Sequence, residues 1–169
     1  MKLIPLTQDK YACVDDADYG WISQFKWRAE TSPQSRTFYA TTVWSTDSGG
    51  KRTVRMHQLL CPFASRVDHV NRNGLNNCRS NLRNATCSQN AGNMAKWTSA
   101  KCTSRFKGVC NMGRTSRPWL VRAGSKYVGT FASEIEAAQA YDKAALEVFG
   151  EFARINFPPP GQLGALGQH

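Results

Sequence analysis

The stretch Val67-Asp68-His69-Val70-Asn71-Arg72-Asn73-Gly74-Leu75-Asn76-Asn77-Cys78-Arg79-Ser80-Asn81-Leu82-Arg83-Asn84-Ala85-Thr86-Cys87-Ser88-Gln89-Asn90-Ala91-Gly92-Asn93 decides how the chain is read. It opens on RVDHV, a short strand with Val67 and Val70 as its apolar positions. The polar run NRNGLNNCRSN follows, rich in Asn and Gly, which tolerate turn and left-handed backbone. LRNAT reads as a second strand. Ser88 is placed to cap a helix that starts near Gln89 and continues through NAGNMAKW. Asp68 and His69 are neighbours on a strand, so their side chains point to opposite faces. They cannot do the same job. One can bind a cation while the other works on a neighbouring group.

Charge widens the view. Between Lys51 and Lys126 the chain has fifteen Lys and Arg residues and one acid, Asp68. The net charge is +10, and the flanking segments are near neutral or acidic. A basic middle of this kind suits a polyphosphate partner. The alternative, a solubility surface, would mix both signs. No apolar run approaches the roughly 18 residues of a membrane span. The N-terminal MKLIPLTQDKYACVDD has only a short apolar cluster, so no secretory signal is read and an intracellular protein is expected. Six cysteines are present, none in a C-x-x-C pair. Disulfides are not expected. Zinc is disfavoured, because structural zinc sites bring thiolates in close pairs.

Hydrolysis of a phosphodiester needs an activated water, charge relief on the phosphoryl oxygens and help for the leaving oxygen. A neutral imidazole suits the first task, since its ordinary pKa of roughly 6.5 lies near working pH. A carboxylate with a neutral oxygen donor can hold Mg²⁺, leaving other positions to water and phosphate. The neutral donors on offer are Asn71, Asn73, Asn76, Asn77, Asn81, Asn84, Asn90 and Asn93. From Asp68 and His69 alone, an ion pair or a loop cap in an inert domain is an equal reading.

The whole run from Val67 to Asn93 resembles the HNH endonucleases of phages and mobile introns, matching nearly every defining position over about 27 residues. The resemblance implies two antiparallel strands and a helix around one metal ion, Mg²⁺ or Mn²⁺. By motif position, His69 stands as the general base and Asp68 as a metal ligand. Asn90 stands as the second ligand, where other members place a histidine. Asn81 is the middle residue, bracing the loop and orienting His69, and Asn77 is a loop-bracing partner. Arg66, Arg72 and Arg83 are expected on the DNA backbone. Upstream, Val14, Asp15, Asp16, Asp18, Trp27, Met56 and His57 match segments that precede the site in these enzymes. His57 is read as structural or as a DNA-backbone contact. The products implied are 5′-phosphate and 3′-hydroxyl ends.

Around this centre the chain divides into an HNH nuclease domain at 1–96, a linker at 97–105, a second domain at 106–157 and a disordered tail at 158–169. Residues 1–55 are expected to be β-rich, with a strand, a short helix and a hairpin. Trp21, Phe25 and Trp27 are read as core aromatics. Residues 56–96 are expected to form the ββα-metal core, beginning with a short helix from Met56 that stops at Pro62. In the second domain FKGVCN, PWLVRAG and KYVGTF read as three strands. Ser133 and Glu136 form a capping box for an Ala-rich helix that Gly150 ends.

This second segment resembles the DNA-binding domain of plant APETALA and ethylene-response factors. The residues that carry the resemblance are Gly108-Val109, Trp119, Gly129-Thr130-Phe131, Tyr141-Asp142 and Asn156-Phe157, among others. The resemblance implies a three-stranded sheet in the major groove with the helix behind it. Groove-facing candidates are Lys107, Arg114, Arg117, Trp119, Arg122 and Lys126. Cys110, Asn111 and Met112 stand where the plant pattern has arginines. The alternative is a small packing domain without DNA contact.

The fold class expected is therefore α+β: a ββα-metal core with a β-rich N-terminal part, plus a small antiparallel sheet on one helix. The partner expected is double-stranded DNA, without a membrane. A monomer is expected to nick one strand, and a dimer is the alternative that would cut both. The competing function is a non-catalytic DNA-binding regulator derived from such an endonuclease.

Overall fold

The computed structural model describes residues 1–31, 37–96, 103–113 and 116–159. Ser32 and Pro33, most of the expected linker, Arg114 and nearly all of the expected tail lie outside them. The architecture is α+β with small antiparallel sheets, and it falls into two units that meet in sequence at Ala85 and Thr86.

In the first unit, β1 (Lys2–Pro5) and β2 (Tyr11–Val14) form an antiparallel hairpin. Alternation turns Ile4, Ala12 and Val14 inward and leaves Leu3 and Tyr11 exposed. α1 (Asp16–Ile22) starts after Asp15, with Asp16 and Asp18 in its first turn, where the helix dipole favours acids. β3 (Arg28–Glu30), β4 (Tyr39–Ser45) and β5 (Lys51–Arg55) make an antiparallel sheet in that order. β5 runs directly into α2 (Met56–Leu60). The core gathers Ile4, Val14, Ile22, Trp27, Met56 and Leu60. Each such side chain contributes about 1.5–3 kcal/mol by leaving water. Trp27 stays satisfied by donating its indole N–H to Ile22 O at 2.8 Å. β6 (Val67–His69) and β7 (Leu82–Asn84) then pair antiparallel, joined by a polar loop and a 3-10 turn at Arg79–Asn81. The acids near α1 fasten that turn. Arg79 N donates to Asp15 at 2.7 Å, and the Arg79 guanidinium grips both oxygens of buried Asp18 at 2.7 and 2.8 Å. A bidentate pair fixes orientation as well as distance.

The second unit opens with α3 (Cys87–Asn93). Its cap is Thr86, two residues earlier than the expected Ser88. Thr86 Oγ1 accepts from Gln89 N while Gln89 returns a bond to Thr86 N. The helix stops at Asn93 instead of running on to Trp97. β8 (Val109–Asn111), β9 (Trp119–Ala123) and β10 (Lys126–Phe131) form a sheet of order β10-β9-β8, backed by α4 (Glu134–Phe149). Ser133 caps α4 through Ile135 N, the second helical amide, so the expected reciprocity with Glu136 is not how this cap is made. Ala137, Ala138, Ala144 and Ala145 are buried on α4 and let it lie close to the sheet. Gly108 is required there: its φ is +74°, and a Cβ would sit 1.9 Å from the Tyr141 ring. Asp142 accepts from Asn156 N at 2.6 Å and Phe157 N at 2.8 Å, tying these two residues back to α4.

The expected boundary at 97–105 thus differs from the division by compactness. α3 packs on α4, because Gly92 leaves room for Phe149: a Cβ at Gly92 would be 2.7 Å from that ring. No helix among the described residues is long and apolar enough to cross a membrane.

Candidate active site

β6 delivers Asp68 and His69 to opposite sides, and both are buried, at 5% and 6% exposure. Asp68 lies directly across from Arg83 on β7. Arg83 Nε and a terminal nitrogen reach Asp68 Oδ2 at 2.9 and 2.8 Å. The arginine expected on the DNA backbone therefore holds the expected metal ligand. Arg72 has a left-handed φ of 65°, and its N–H donates to His69 O at 2.8 Å. Burial lowers the pKa of the Arg72 guanidinium, and Asp68 pulls it the other way. Arg66 is exposed, and its carbonyl accepts from Ala85 N.

On the other face, His69 Nε2 lies 3.5 Å from Asn77 Oδ1, the long limit of a hydrogen bond. Asn77 is fully buried and its amide N–H donates to Gly74 O at 3.4 Å. That bond assigns the Asn77 oxygen to the histidine side. Nε2 then carries the proton and Nδ1 keeps its lone pair. Burial lowers the His69 pKa, with Asn77 and Asp68 opposing. Two rings pack beside it. His57 meets His69 at 4.9 Å between centroids and 83° between planes, and Tyr39 lies 5.9 Å from His69. Burial first, then His69 and Arg55, push the His57 pKa down to about 3, so His57 is uncharged.

The loop between the strands is held by its own amides. Asn81 Nδ2 donates to Asn76 O at 2.7 Å, and Asn81 Oδ1 accepts from Asn71 N at 3.0 Å. The Asn81 carbonyl accepts from Val70 N, next to His69. Asn71, Asn73 and Asn76 each accept from a backbone N–H two residues on, the Asx turn. Most of the asparagines offered as oxygen donors are therefore loop builders. Asn90 is half-buried on α3, in the second unit, where its backbone makes the ordinary helix bonds.

Among the described residues no group of three His, Cys, Asp or Glu could hold a metal ion. The five described cysteines are free. Asp68, buried and bonded to Arg83, is the carboxylate that the motif offers, and a carboxylate is the donor type that a hard cation such as Mg²⁺ takes.

Sequence reasoning missed Tyr39, Arg55 and Gly74. The Arg55 guanidinium sits 4.7 Å over the Tyr39 ring. A Cβ on Gly74 would lie 2.5 Å from Phe38 O and 2.6 Å from Tyr39, so this glycine lets the loop close on the ring. A lone Gly within a loop of asparagines was the available signal.

The second unit distributes its expected DNA contacts unevenly. Lys107 Nζ donates to the carbonyls of Ala91, Gly92 and Met94, closing the C-terminal end of α3. Arg117, Arg122 and Lys126 are exposed, and Lys126 pairs with Glu147 at 3.0 Å. Strand alternation puts Trp119 on the register face of Val121 and Ala123, both buried against α4, and puts Arg122 on the opposite face. Arg114 lies outside the described residues.

The chain is similar to two kinds of protein. Over 92 residues, 53% of its length, it is 41% identical to an uncharacterised HNH endonuclease of Acanthamoeba polyphaga mimivirus, covering 46% of that protein. Over 48 residues, 28% of its length, it is 48% identical to dehydration-responsive element-binding protein 2E of Arabidopsis thaliana, covering 16% of it. Over 64 residues, 36% of its length, it is 41% identical to APETALA2-like protein 2 of Oryza sativa subsp. indica, covering 15% of it. The chain spans less than half the length of these relatives. No family model and no solved structure matches it.

Proposed function

We propose that the protein is a metal-dependent, site-directed DNA endonuclease that leaves 5′-phosphate and 3′-hydroxyl ends. The observation that carries this reading is a buried His69 whose Nε2 lies 3.5 Å from Asn77 Oδ1, back to back with the buried carboxylate of Asp68. Partial similarity to an HNH endonuclease supports it. His69 Nδ1 accepts the proton of the attacking water. Asn77 holds the ring, and Asn81 braces the loop that carries it. Asp68 supplies a charged oxygen to one Mg²⁺ or Mn²⁺, and Asn90 keeps its role as second donor on the strength of the motif alone. The ion, when bound, supplies charge relief at the phosphoryl group. Arg66 and Arg72 meet the phosphate backbone, and Arg83 releases Asp68 or stays as its partner. In the second unit Arg117, Arg122 and Lys126 face the major groove, where an Arg can read guanine and a Lys can hold phosphate. A monomer with one such site nicks one strand.

The test is supercoiled plasmid, together with DNA flanking the protein's own gene, incubated with Mg²⁺ with and without EDTA. Open-circle or linear product that EDTA and His69→Ala both abolish supports the reading. A second reading has its own observation. The Asp68–Arg83 pair neutralises the carboxylate, as a non-catalytic DNA-binding regulator would tolerate. Retardation of DNA with steep salt dependence, and no cutting by wild type, favours that reading.

A further inference from the structure

We propose that His57 is a positioning residue for the reaction: its imidazole, together with the Tyr39 ring, fixes the plane in which His69 presents Nδ1. The inference rests on the endonuclease reading. Its geometry comes from three elements of the first unit: α2 supplies His57, β4 supplies Tyr39 and β6 supplies His69. The three rings close a triangle, with centroid distances of 4.9, 5.7 and 5.9 Å. His57 and Tyr39 each stand edge-on or tilted to their neighbours, the arrangement that ring quadrupoles favour. The outer side of Tyr39 is covered by the Arg55 guanidinium, and Gly74 brings the loop backbone against it.

Such a frame has a purpose. The torsion that turns a histidine ring about its Cβ–Cγ bond has a broad well. The 3.5 Å contact from Asn77 touches one point of the ring, at the long limit of a hydrogen bond, and such a contact alone does not make the ring rigid. Rings on its flank remove that rotation. A general base must meet its water within hydrogen-bond reach, and a small misplacement costs a large factor in rate. The near-perpendicular contact of His57 with His69, 4.9 Å between centroids, is the geometry of ring packing. An uncharged neighbour also adds no positive charge beside the base. A phenyl ring at position 57 therefore does the same work, which separates positioning from proton relay.

The experiment compares wild type, His57→Ala and His57→Phe in the full chain. It reads single-turnover cleavage of plasmid with Mg²⁺, DNA retention on a gel, and the long-range ¹H–¹⁵N imidazole spectrum. The chain has three histidines, so the His69 signals are readily assigned by substitution. His57→Ala is expected to slow cleavage by about tenfold or more, with DNA retention unchanged and His69 ring signals broadened. His57→Phe is expected to restore most of the rate and the sharp signals. A folded His57→Phe as slow as His57→Ala overturns the proposal, because the imidazole nitrogen would then be needed. So does a His57→Ala protein that cuts like wild type. If His57→Ala fails to fold, His57→Leu takes its place against His57→Phe. Should wild type cut no DNA, the endonuclease reading falls by itself. The spectrum still decides the geometry: His69 signals left sharp and unshifted by His57→Ala overturn it, and broadened ones uphold it.

Discussion

The two units of this chain hold their important backbone in place by different means. In the first, side-chain amides and ion pairs do it: Asn81 bridges both ends of the loop, Asn77 supports His69, and Arg79 is clamped by Asp15 and Asp18. In the second, close steric approach does it: Gly108 lies under Tyr141, Gly92 under Phe149, and a row of alanines lets α4 down onto the sheet. Polar bracing is divisible, since each bond contributes roughly 0.5–1.5 kcal/mol and can be lost singly. Steric closeness is not divisible, because one added carbon meets a wall. The lesson is that the first unit should degrade by degrees and the second all at once.

The contrast is most exposed at Gly108. Gly108→Ala places a methyl group 1.9 Å from the Tyr141 ring at a φ of +74°. It is expected to unfold the second unit outright, seen as loss of α4 helicity by circular dichroism, while the His57 and His69 signals of the first unit persist. If both units melt together, they are not separate in stability. Next in size is pH. His57 has an ordinary pKa of 6.5 and about 3 in the fold. The unfolded chain therefore binds the extra proton first. The first unit should hold its stability above about pH 6.5 and lose it as pH falls from there towards 3. The loss is at most ~1.4 kcal/mol for each pH unit in that window. Denaturant melts at pH 7 and pH 5 measure it, and His57→Phe should reduce the difference, leaving the part that the lowered pKa of His69 contributes.

Asn81→Ala comes third. It removes two loop bonds and is expected to cost ~1–3 kcal/mol, with slower cleavage and no change in the second unit. A loss as complete as that of Gly108→Ala would end the contrast. The smallest effect is at Lys126→Gln. Its pair with Glu147 is half-exposed on both sides, so the melting temperature should barely move. Its DNA role would appear instead as a lower salt slope, by about one. An unchanged slope removes Lys126 from the DNA face.

Much of this arrangement was legible in the sequence, and for physical reasons. The alternation in VDHV and the position of LRN gave the paired strands, and Ser133, the alanines and Gly150 gave α4. The opposite facing of Asp68 and His69 followed from strand periodicity alone. What could not be read depends on tertiary approach. Asn is generic in loops, and motif position marks Asn77 only as a loop brace, so its contact with His69 is not read from sequence. Tyr39 and His57 reach His69 only through the register of β4, β5 and α2. Lys107 looked like a groove contact because it precedes a strand of a basic sheet, but its amine is turned to the end of α3. Arg83 looked like a phosphate contact until its cross-strand partner was Asp68.

The clasp of Lys107 on α3 bears on how such a protein could be rebuilt or inherited in pieces. The small, polar segment from 97 to 105 invites a splice that exchanges one recognition module for another. A splice there would separate the helix bearing Asn90 from the lysine and phenylalanine that finish it. The new partner would receive that helix with an unfinished end. The piece that travels intact begins at Thr86, so Asn90 is exchanged together with the sheet that follows it.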